Sequence, residues 1–420
     1  MKGRIVWPGL QYSSTGSGSD TERDIQTVAG VVPVAVRVTL AAALCAMVPV
    51  WIRHYAWLAN NMATELAMND FGKFYYSVRL FSGGLSLYGP SPATSIAVSA
   101  TERREFLNLN PPHFHLLVWP FAALSPTVAL ASWMAVGVVA LAGVVAIVCH
   151  ELDIQWWHRR TLWVSAAALG LAGLIGSVVV TGQLSFVLLL PFTLSWAAAR
   201  NGRYRASAAW LAACVAIKPF LAPLFLIPLI GRRVGAILVA MAVGAAIVGT
   251  GAVVFGPRAY VEWFGALAAV SWPWASMNGS LLGFLTRALA VTPHYTPLVD
   301  APHLVRVTWA VGVAAIGVPT VVAARWAITR GRVDHAFALL TSSSLLVSPL
   351  GWVYYFWLPL VPAVALLRRP RLHAVAGRAP VWAVGVAGAP IVAGLLWPVT
   401  AVPIMRQSAL STITAGSVYF

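Results

Sequence analysis

Carboxylate groups are scarce in this sequence, which has 12 Asp and Glu residues among 420. Asp70 differs from the other acidic residues because it begins the aromatic segment NDFGKFYY (69–76), shortly after the first long apolar run. A carboxylate at this place can face a cavity at membrane depth and remove a proton from an attacking hydroxyl group. The alternative interpretation is an aspartate that caps the N-terminus of an interfacial helix.

Lys218 is the second unusual residue, because it is one of only three lysines and lies in the apolar stretch AIKP (216–219). An ionisable side chain at membrane depth is costly, and it is by default a functional candidate. An ammonium group where two half-length helices meet would suit a phosphate group. The alternative is a lysine whose head group extends to the membrane surface.

Other polar side chains fall in segments that we expect on the same side of the membrane as Asp70. Each is a weak candidate for substrate binding when taken alone. The pair His113-x-His115 is more often structural than metal-binding, and no third ligand has a suggestive spacing, so no metal site is predicted. The sequence contains no phosphate-binding loop and no dinucleotide fingerprint, so no cofactor is predicted. These substrate-binding candidates are Tyr76, Arg79, Asn110, His113, His115, Gln183, Asn278 and Arg287.

The composition identifies the elements that must position these residues. Hydrophobic residues make up 59% of the chain and charged residues 10%, whereas soluble domains are about 45–50% apolar and about 25% charged. A soluble globular fold and a disordered chain are therefore both excluded. The net charge of +16 does not predict a nucleic-acid partner, because the basic residues form short clusters between apolar runs. Such clusters are typical of cytoplasmic loops in a membrane protein.

Long stretches without Asp, Glu, Lys or Arg predict membrane helices, since backbone polar groups in lipid must be bonded within their own segment. The sequence predicts an all-α bundle of roughly ten to twelve transmembrane or re-entrant segments. Both flanks of 206–230 are basic, so this stretch must enter and leave the membrane with a turn near Lys218-Pro219. The first uncharged run fits either an odd number of crossings or two helices broken at Ser125-Pro126, and the sequence leaves both alternatives open. The uncharged runs are 106–149, 161–199, 234–257, 307–324, 336–367 and 379–405.

The same patterns predict the organisation of the chain. We expect a cytoplasmic, disordered tail over residues 1–29, one transmembrane domain over 30–405, and a C-terminal tail over 406–420. Outer loops are expected at 53–111 and 257–303, because the basic clusters belong to the cytoplasmic side. The predicted location is the inner (cytoplasmic) membrane, with a site that faces the extracytoplasmic side.

The order of the motifs resembles glycosyltransferase family 87 of the GT-C membrane fold, which includes polyprenyl-phosphate-mannose-dependent α-1,2-mannosyltransferases. The resemblance implies an inverting, metal-independent sugar transfer in which Asp70 is the general base. Members often carry histidines after the Ser-Pro-x-x-Trp turn, where this chain has Tyr354 and Tyr355, and both are added to the substrate-binding candidates. The motifs are Asp70-Phe71, Tyr75-Tyr76, Gly83-Gly84, Leu87-Tyr88, Asn110-Pro111-Pro112, Gly182-Gln183, Ile217-Lys218-Pro219, Asn278-Gly279-Ser280-Leu281 and Ser348-Pro349-Leu350-Gly351-Trp352.

Residue chemistry is consistent with that resemblance. The phosphate of a lipid-linked sugar donor is already a leaving group and needs cations, for which Lys218, Arg79 and Arg287 are available. An inverting displacement needs one carboxylate base rather than the carboxylate pair of a glycoside hydrolase. The expected partners are a lipid-linked sugar, a glycan or glycolipid acceptor, and membrane lipids. A transporter or flippase of lipid-linked sugars and a non-catalytic scaffold subunit are the two alternatives.

Overall fold

The computed structural model describes residues 69–97, 103–105, 107–154, 181–275, 277–292, 295–367, 408–409 and 417. The predicted N-terminal tail and first membrane helix lie outside these residues, as does most of the predicted C-terminal tail. The predicted total of ten to twelve segments also includes stretches outside them.

Apart from one short antiparallel strand pair, the regular structure in the described part of the chain is helical, which confirms the predicted all-α class. The strands are β1 (Ser95–Ala97) and β2 (Arg103–Glu105). Short 3₁₀ turns occur at Pro112–Phe114, Trp119–Ala123, Pro219–Phe225 and Val353–Tyr355. The α-helices are α1 (Asn69–Ser82), α2 (His115–Val118), α3 (Pro126–Glu151), α4 (Ser185–Arg200), α5 (Tyr204–Ile217), α6 (Leu226–Ile230), α7 (Val234–Phe255), α8 (Pro257–Ala268), α9 (Leu281–Leu289), α10 (Pro302–Thr329), α11 (Val333–Val347) and α12 (Trp357–Leu367).

Three described helices, α3, α7 and α10, are long and apolar enough to cross a membrane. The shortest of them, α7, has 22 residues and is therefore about 33 Å long, close to the roughly 30 Å thickness of a bilayer core. Valine, leucine and methionine side chains on α7 and α10 are largely exposed. A surface of this kind is compatible with lipid rather than water. The protein is membrane-embedded.

The predicted turn near Lys218-Pro219 is confirmed, and the chain also has the break at Ser125-Pro126 that the sequence left open. Helix α5 ends at Ile217, Lys218 has an extended backbone, and a 3₁₀ turn begins at Pro219. Proline disfavours a helical conformation in the residue before it, which explains why the chain turns at this position. Likewise, α3 begins at Pro126 after an extended Ser125, because proline is well tolerated in the first turn of a helix.

The core lies where α1 packs against the membrane helices. The apolar side of α1, formed by Phe71, Phe74, Tyr75 and Val78, is buried in one cluster with residues of α3, α4, α5, α11 and α12. The i, i+3, i+4, i+7 spacing of these side chains makes α1 amphipathic. Burial of this face holds the first turn of α1, which carries Asp70, against the bundle.

Candidate functional site

Asp70 lies in the first turn of α1 and forms an ion pair with Lys73. The distance between Lys73 Nζ and Asp70 Oδ1 is 3.2 Å, and both side chains are mostly buried. Residues three apart on a helix lie on the same side of it, so the pair follows from the local sequence. Lys73 was not among the predicted site residues, although it belongs to the same NDFGKFYY segment.

The turn at 181–183 holds the start of α1 in place. The backbone N–H of Phe71 donates to the carbonyl of Thr181 at 3.1 Å, and the indole of Trp133 donates to the carbonyl of Gly182 at 2.8 Å. Gly182 has φ +66°, and a Cβ atom there would lie 2.5 Å from the Cβ of Phe71. Only glycine fits this close approach without strain. The candidate Gln183 follows directly and therefore lies beside the first turn of α1.

Lys218 lies within electrostatic reach of both members of that ion pair, Asp70 and Lys73. Its Nζ donates to Asn110 Oδ1 at 2.7 Å and lies 5.5 Å from the ring centroid of Tyr355. Tyr355 also lies within electrostatic reach of Asp70. The structure thus brings together four of the predicted residues, Asp70, Asn110, Lys218 and Tyr355, although they are distant in the sequence.

A network of buried polar groups holds Asn110 in position. Asn110 Nδ2 donates to Asn108 Oδ1 at 3.2 Å, and Asn108 Nδ2 donates to Ser77 Oγ of α1 at 2.8 Å. Asn108 also lies 2.7 Å from Nε2 of the fully buried His115. Buried networks of this kind specify one arrangement, since any unpaired member is costly. The network therefore connects Lys218 to α1 and fixes the direction of its ammonium group.

His115 belongs to this network as a neutral group. Its Nδ1 donates to the carbonyls of Pro111 and Pro112 at 3.2 and 3.1 Å, so its Nε2 accepts from Asn108. Burial lowers the pKa of His115 to about 4. A histidine in this state positions its neighbours and carries no charge for a substrate at neutral pH.

Lys218 lines an apolar cavity of about 900 Å³. Lys218 and Arg306 are the charged residues on its wall, which is otherwise dominated by apolar and aromatic side chains. Cationic groups on the wall of a mostly apolar cavity suit an amphiphile with an anionic head. Residues on the wall include Phe220, Trp263, Trp309, Leu350, Trp352 and Tyr355.

Asn278 is fully buried and connects two of the sequence motifs at this cavity. Its amide donates to the carbonyls of Pro273 and Pro349 at 2.9 and 3.0 Å, and its Oδ1 accepts from the N–H of Gly351 at 2.9 Å. These bonds hold the segment 277–280 against 349–353, which provides part of the cavity wall. The contacts assign Asn278 a structural role.

Arg287 is also fully buried and does not line this cavity. Its guanidinium donates to the carbonyls of Ala275 and Asn278 at 3.0 and 3.1 Å and to Ser417 Oγ at 3.1 Å. Arginine donors used on backbone carbonyls hold a loop together. The structure therefore does not bring Arg287 to Lys218.

The remaining predicted residues lie around the site rather than in it. Arg79 is exposed and donates to Tyr75 at 2.8 Å; nine residues span about two and a half helical turns, so it lies opposite Asp70. Tyr76 lies next to Tyr75, with their ring centroids 5.1 Å apart. His113 bonds to Tyr260 and to the carbonyl of Ala216. Tyr354 contacts Met277 rather than Lys218.

The described residues contain no group of three or more His, Cys, Asp or Glu side chains that could hold a metal ion. The site instead offers one carboxylate beside two ammonium groups and an aromatic ring. This set can hold an anion next to a group that accepts a proton.

A comparison of the sequence with models of protein families identifies the family of this chain. The model of glycosyltransferase family 87 matches residues 108–349, which is more than half of the chain. The chain belongs to glycosyltransferase family 87. This family 87 protein is accordingly a membrane glycosyltransferase, with a sugar donor and an acceptor as substrates. No match was found among curated proteins or among solved structures. The matched segment includes Asn110, Lys218 and Asn278 and begins after Asp70, so the assignment of Asp70 depends on the geometry described above.

Proposed function

We propose that this family 87 member transfers a hexose, with mannose as the first candidate, from a polyprenyl-phosphate donor to an extracytoplasmic glycan or glycolipid acceptor with inversion. The observation that carries the proposal is that Lys218, which lies within electrostatic reach of Asp70, lines the 900 Å³ apolar cavity. A carboxylate, a cation and a lipid-sized cavity are the three features that such a reaction needs.

In the proposed reaction the donor phosphate lies at Lys218 and Lys73, and its prenyl chain occupies the apolar cavity. The acceptor hydroxyl attacks the anomeric carbon from the face opposite the phosphate. The bond from that carbon to the phosphate oxygen breaks, and its electron pair stays on the phosphate. The ammonium groups stabilise the charge that develops there, while Asp70 takes the proton of the attacking hydroxyl.

Lys73 has two functions in this proposal. It pairs with Asp70 in the free protein, which holds the carboxylate in place at the start of α1. When a phosphate binds, Lys73 is close enough to contribute a second positive charge. No metal or cofactor takes part, since two ammonium groups supply the positive charge and the leaving group needs no further activation.

The extracytoplasmic location of the site is supported by the charge distribution. Helix α5 has 14 residues, so the arginines at its start lie about 20 Å from Lys218 at its other end. Arginine-rich ends are typical of the cytoplasmic side of a membrane protein. The site at the opposite end then faces outward, where lipid-linked sugars are used as donors in place of soluble nucleotide sugars.

The proposal is tested with Asp70→Asn in detergent-purified protein and labelled polyprenyl-phosphate mannose. We expect the transfer rate to fall by about 10²–10⁴-fold, which is the usual contribution of a general base, while donor binding persists. Glu262→Gln is the matched control, because Glu262 pairs with the exposed Arg258 and does not belong to the site. Transfer by Asp70→Asn at the parental rate would show that Asp70 is not the base. Movement of the donor across a vesicle membrane without a new glycosidic product would favour the flippase.

A further inference from the structure

We propose that the end of the bundle opposite Lys218 contains a binding site for the phosphate headgroup of an anionic phospholipid. The site is an open depression of about 530 Å³ between the first turns of α5 and α7. Arg203, Arg205 and Arg233 line it together with Tyr204 and Gly235. The proposal is independent of the transfer reaction, because this depression does not contact the apolar cavity at Lys218.

The arginine side chains around this depression occupy defined positions. The guanidinium of Arg205 lies against the backbone of Gly235, where a Cβ atom would be 2.9 Å from Arg205 Nε. The guanidinium of Arg233 lies over the ring of Tyr204, an arrangement that holds the planar group in place. The Nε atom of Arg233 is buried and has no hydrogen-bond partner among the described residues. These contacts place the guanidinium groups of Arg205 and Arg233 at the depression.

Arginine side chains and two helix N-termini meet at this depression, and a folded protein ordinarily pairs such positive groups with negative ones. Both helices start directly after an arginine, neither start has a side-chain cap, and neither first turn contains an acidic residue. A helix N-terminus carries a partial positive charge, so an arginine there is unfavourable unless an anion is near. The nearby acids Glu151 and Asp334 both pair with Arg200, and no carboxylate lines the depression.

A second depression, of about 560 Å³, adjoins the first at Arg233 and is also lined by Arg232 and Arg325. Arg232 has φ +50°, in the left-handed region that side chains other than glycine rarely adopt. This conformation occurs where two consecutive arginines, Arg232 and Arg233, line the two adjoining depressions. The guanidinium groups at the two depressions suit phosphate oxygens, which arginine binds with charge-assisted hydrogen bonds.

The position in the fold favours a lipid over a soluble phosphate. The depressions lie at the ends of apolar helices, and the next side chains on α7, Val234 and Leu238, are 65% and 59% exposed, as expected for contact with lipid tails. Basic pockets at the cytoplasmic ends of membrane helices are suited to anionic lipid headgroups. A lipid bound here would place its phosphate among the arginines and its acyl chains along α7.

The test uses the full chain in nanodiscs of phosphatidylcholine alone or mixed with phosphatidylglycerol, with retained lipid measured by native mass spectrometry. We expect the parental protein to retain phosphatidylglycerol, and Arg233→Gln to weaken this binding by about tenfold, through loss of one charge-assisted contact. Gly235→Ala keeps the net charge but displaces the Arg205 guanidinium, so it should also weaken binding. Its added methyl group meets only the end of a flexible side chain, so the protein still folds.

Arg330→Gln is the matched control, because Arg330 lies at the same end of the bundle, stacks on Trp326 and lines neither depression. It should leave lipid retention unchanged. Equal losses of lipid retention in Arg330→Gln and Arg233→Gln would overturn the proposal, because binding would then depend on the overall positive charge rather than on this depression. Lipid retention at the parental level in Gly235→Ala would overturn it as well. Displacement of the lipid by inorganic phosphate at equal phosphorus concentration would identify a soluble phosphate as the ligand and refute the lipid assignment.

Discussion

Removal of the contact between Lys218 and Asn110 tests the proposed phosphate site most directly. Lys218 Nζ donates to Asn110 Oδ1 at 2.7 Å, and Asn110 is almost completely buried. Lys218→Gln removes the cation, whereas Asn110→Ala keeps the cation and removes the group that directs it. If Asn110 acts only through Lys218, the Asn110→Ala substitution should have little further effect in protein that already carries Lys218→Gln.

The expected magnitude follows from the type of contact. A hydrogen bond to a charged group is worth about 1.5–3 kcal/mol, which corresponds to roughly a tenfold to hundredfold loss of kcat/KM for the donor. We expect a loss of this size for Lys218→Gln and a smaller loss for Asn110→Ala. The double variant should resemble Lys218→Gln, because the two effects share one contact.

The assay is transfer from labelled polyprenyl-phosphate mannose by purified protein, with the donor Kd measured in parallel. Arg79→Gln is the matched control, since Arg79 is exposed on the opposite side of α1 and does not contact Lys218. A double variant whose loss equals the product of the two single losses would refute the argument that Asn110 directs Lys218. An unchanged donor Kd in Lys218→Gln would remove Lys218 from the phosphate site.

Three further predictions concern the support of the site and its chemistry. Gly182→Ala should lower both the melting temperature and the transfer rate, because its φ of +66° and its contact with Phe71 leave no room for a methyl group; a parental melting curve would contradict this. Chelation by EDTA should leave transfer unchanged, and activity that is lost and then restored by a divalent ion would disprove a reaction carried by ammonium groups. The pKa of His115 falls from 6.5 to about 4 on burial, so the unfolded chain binds a proton that the folded one does not, and stability should decrease as the pH falls from 6.5 towards 4. Thermal unfolding across this range should show the decrease in the parent and a weaker one in His115→Gln.

Local features of the structure could be predicted from the sequence because their causes are local. The helix that carries Asp70 follows from its apolar spacing, and the breaks at Pro126 and Pro219 follow from the restrictions that proline places on its neighbours. The uncharged runs predicted membrane helices, since the solubility of a segment depends on its own composition. Even the ion pair of Asp70 with Lys73 is a contact of residues three apart, and the i, i+3 spacing within NDFGKFYY could have indicated it.

The tertiary structure decided which residues belong to the site. Arg287 and Asn278 have the residue types of a binding site, but packing uses their polar groups in hydrogen bonds to backbone groups. Asn108, which was not predicted as a site residue, connects α1 to Asn110 and hence to Lys218. A side chain's capacity for hydrogen bonds is visible in the sequence, whereas its partners depend on which distant segments become neighbours.

The sequence by itself determined that this chain is a helical membrane protein with rare charges in apolar surroundings, because composition and periodicity act over a few turns of chain. Only the packing of α1, α5 and the turn at 353–355 decided that Asp70, Lys218 and Tyr355 belong to one site. The physical reason is that a buried charge is stabilised by whatever partners the fold brings within a few ångströms, and those partners lie more than a hundred residues apart in the chain.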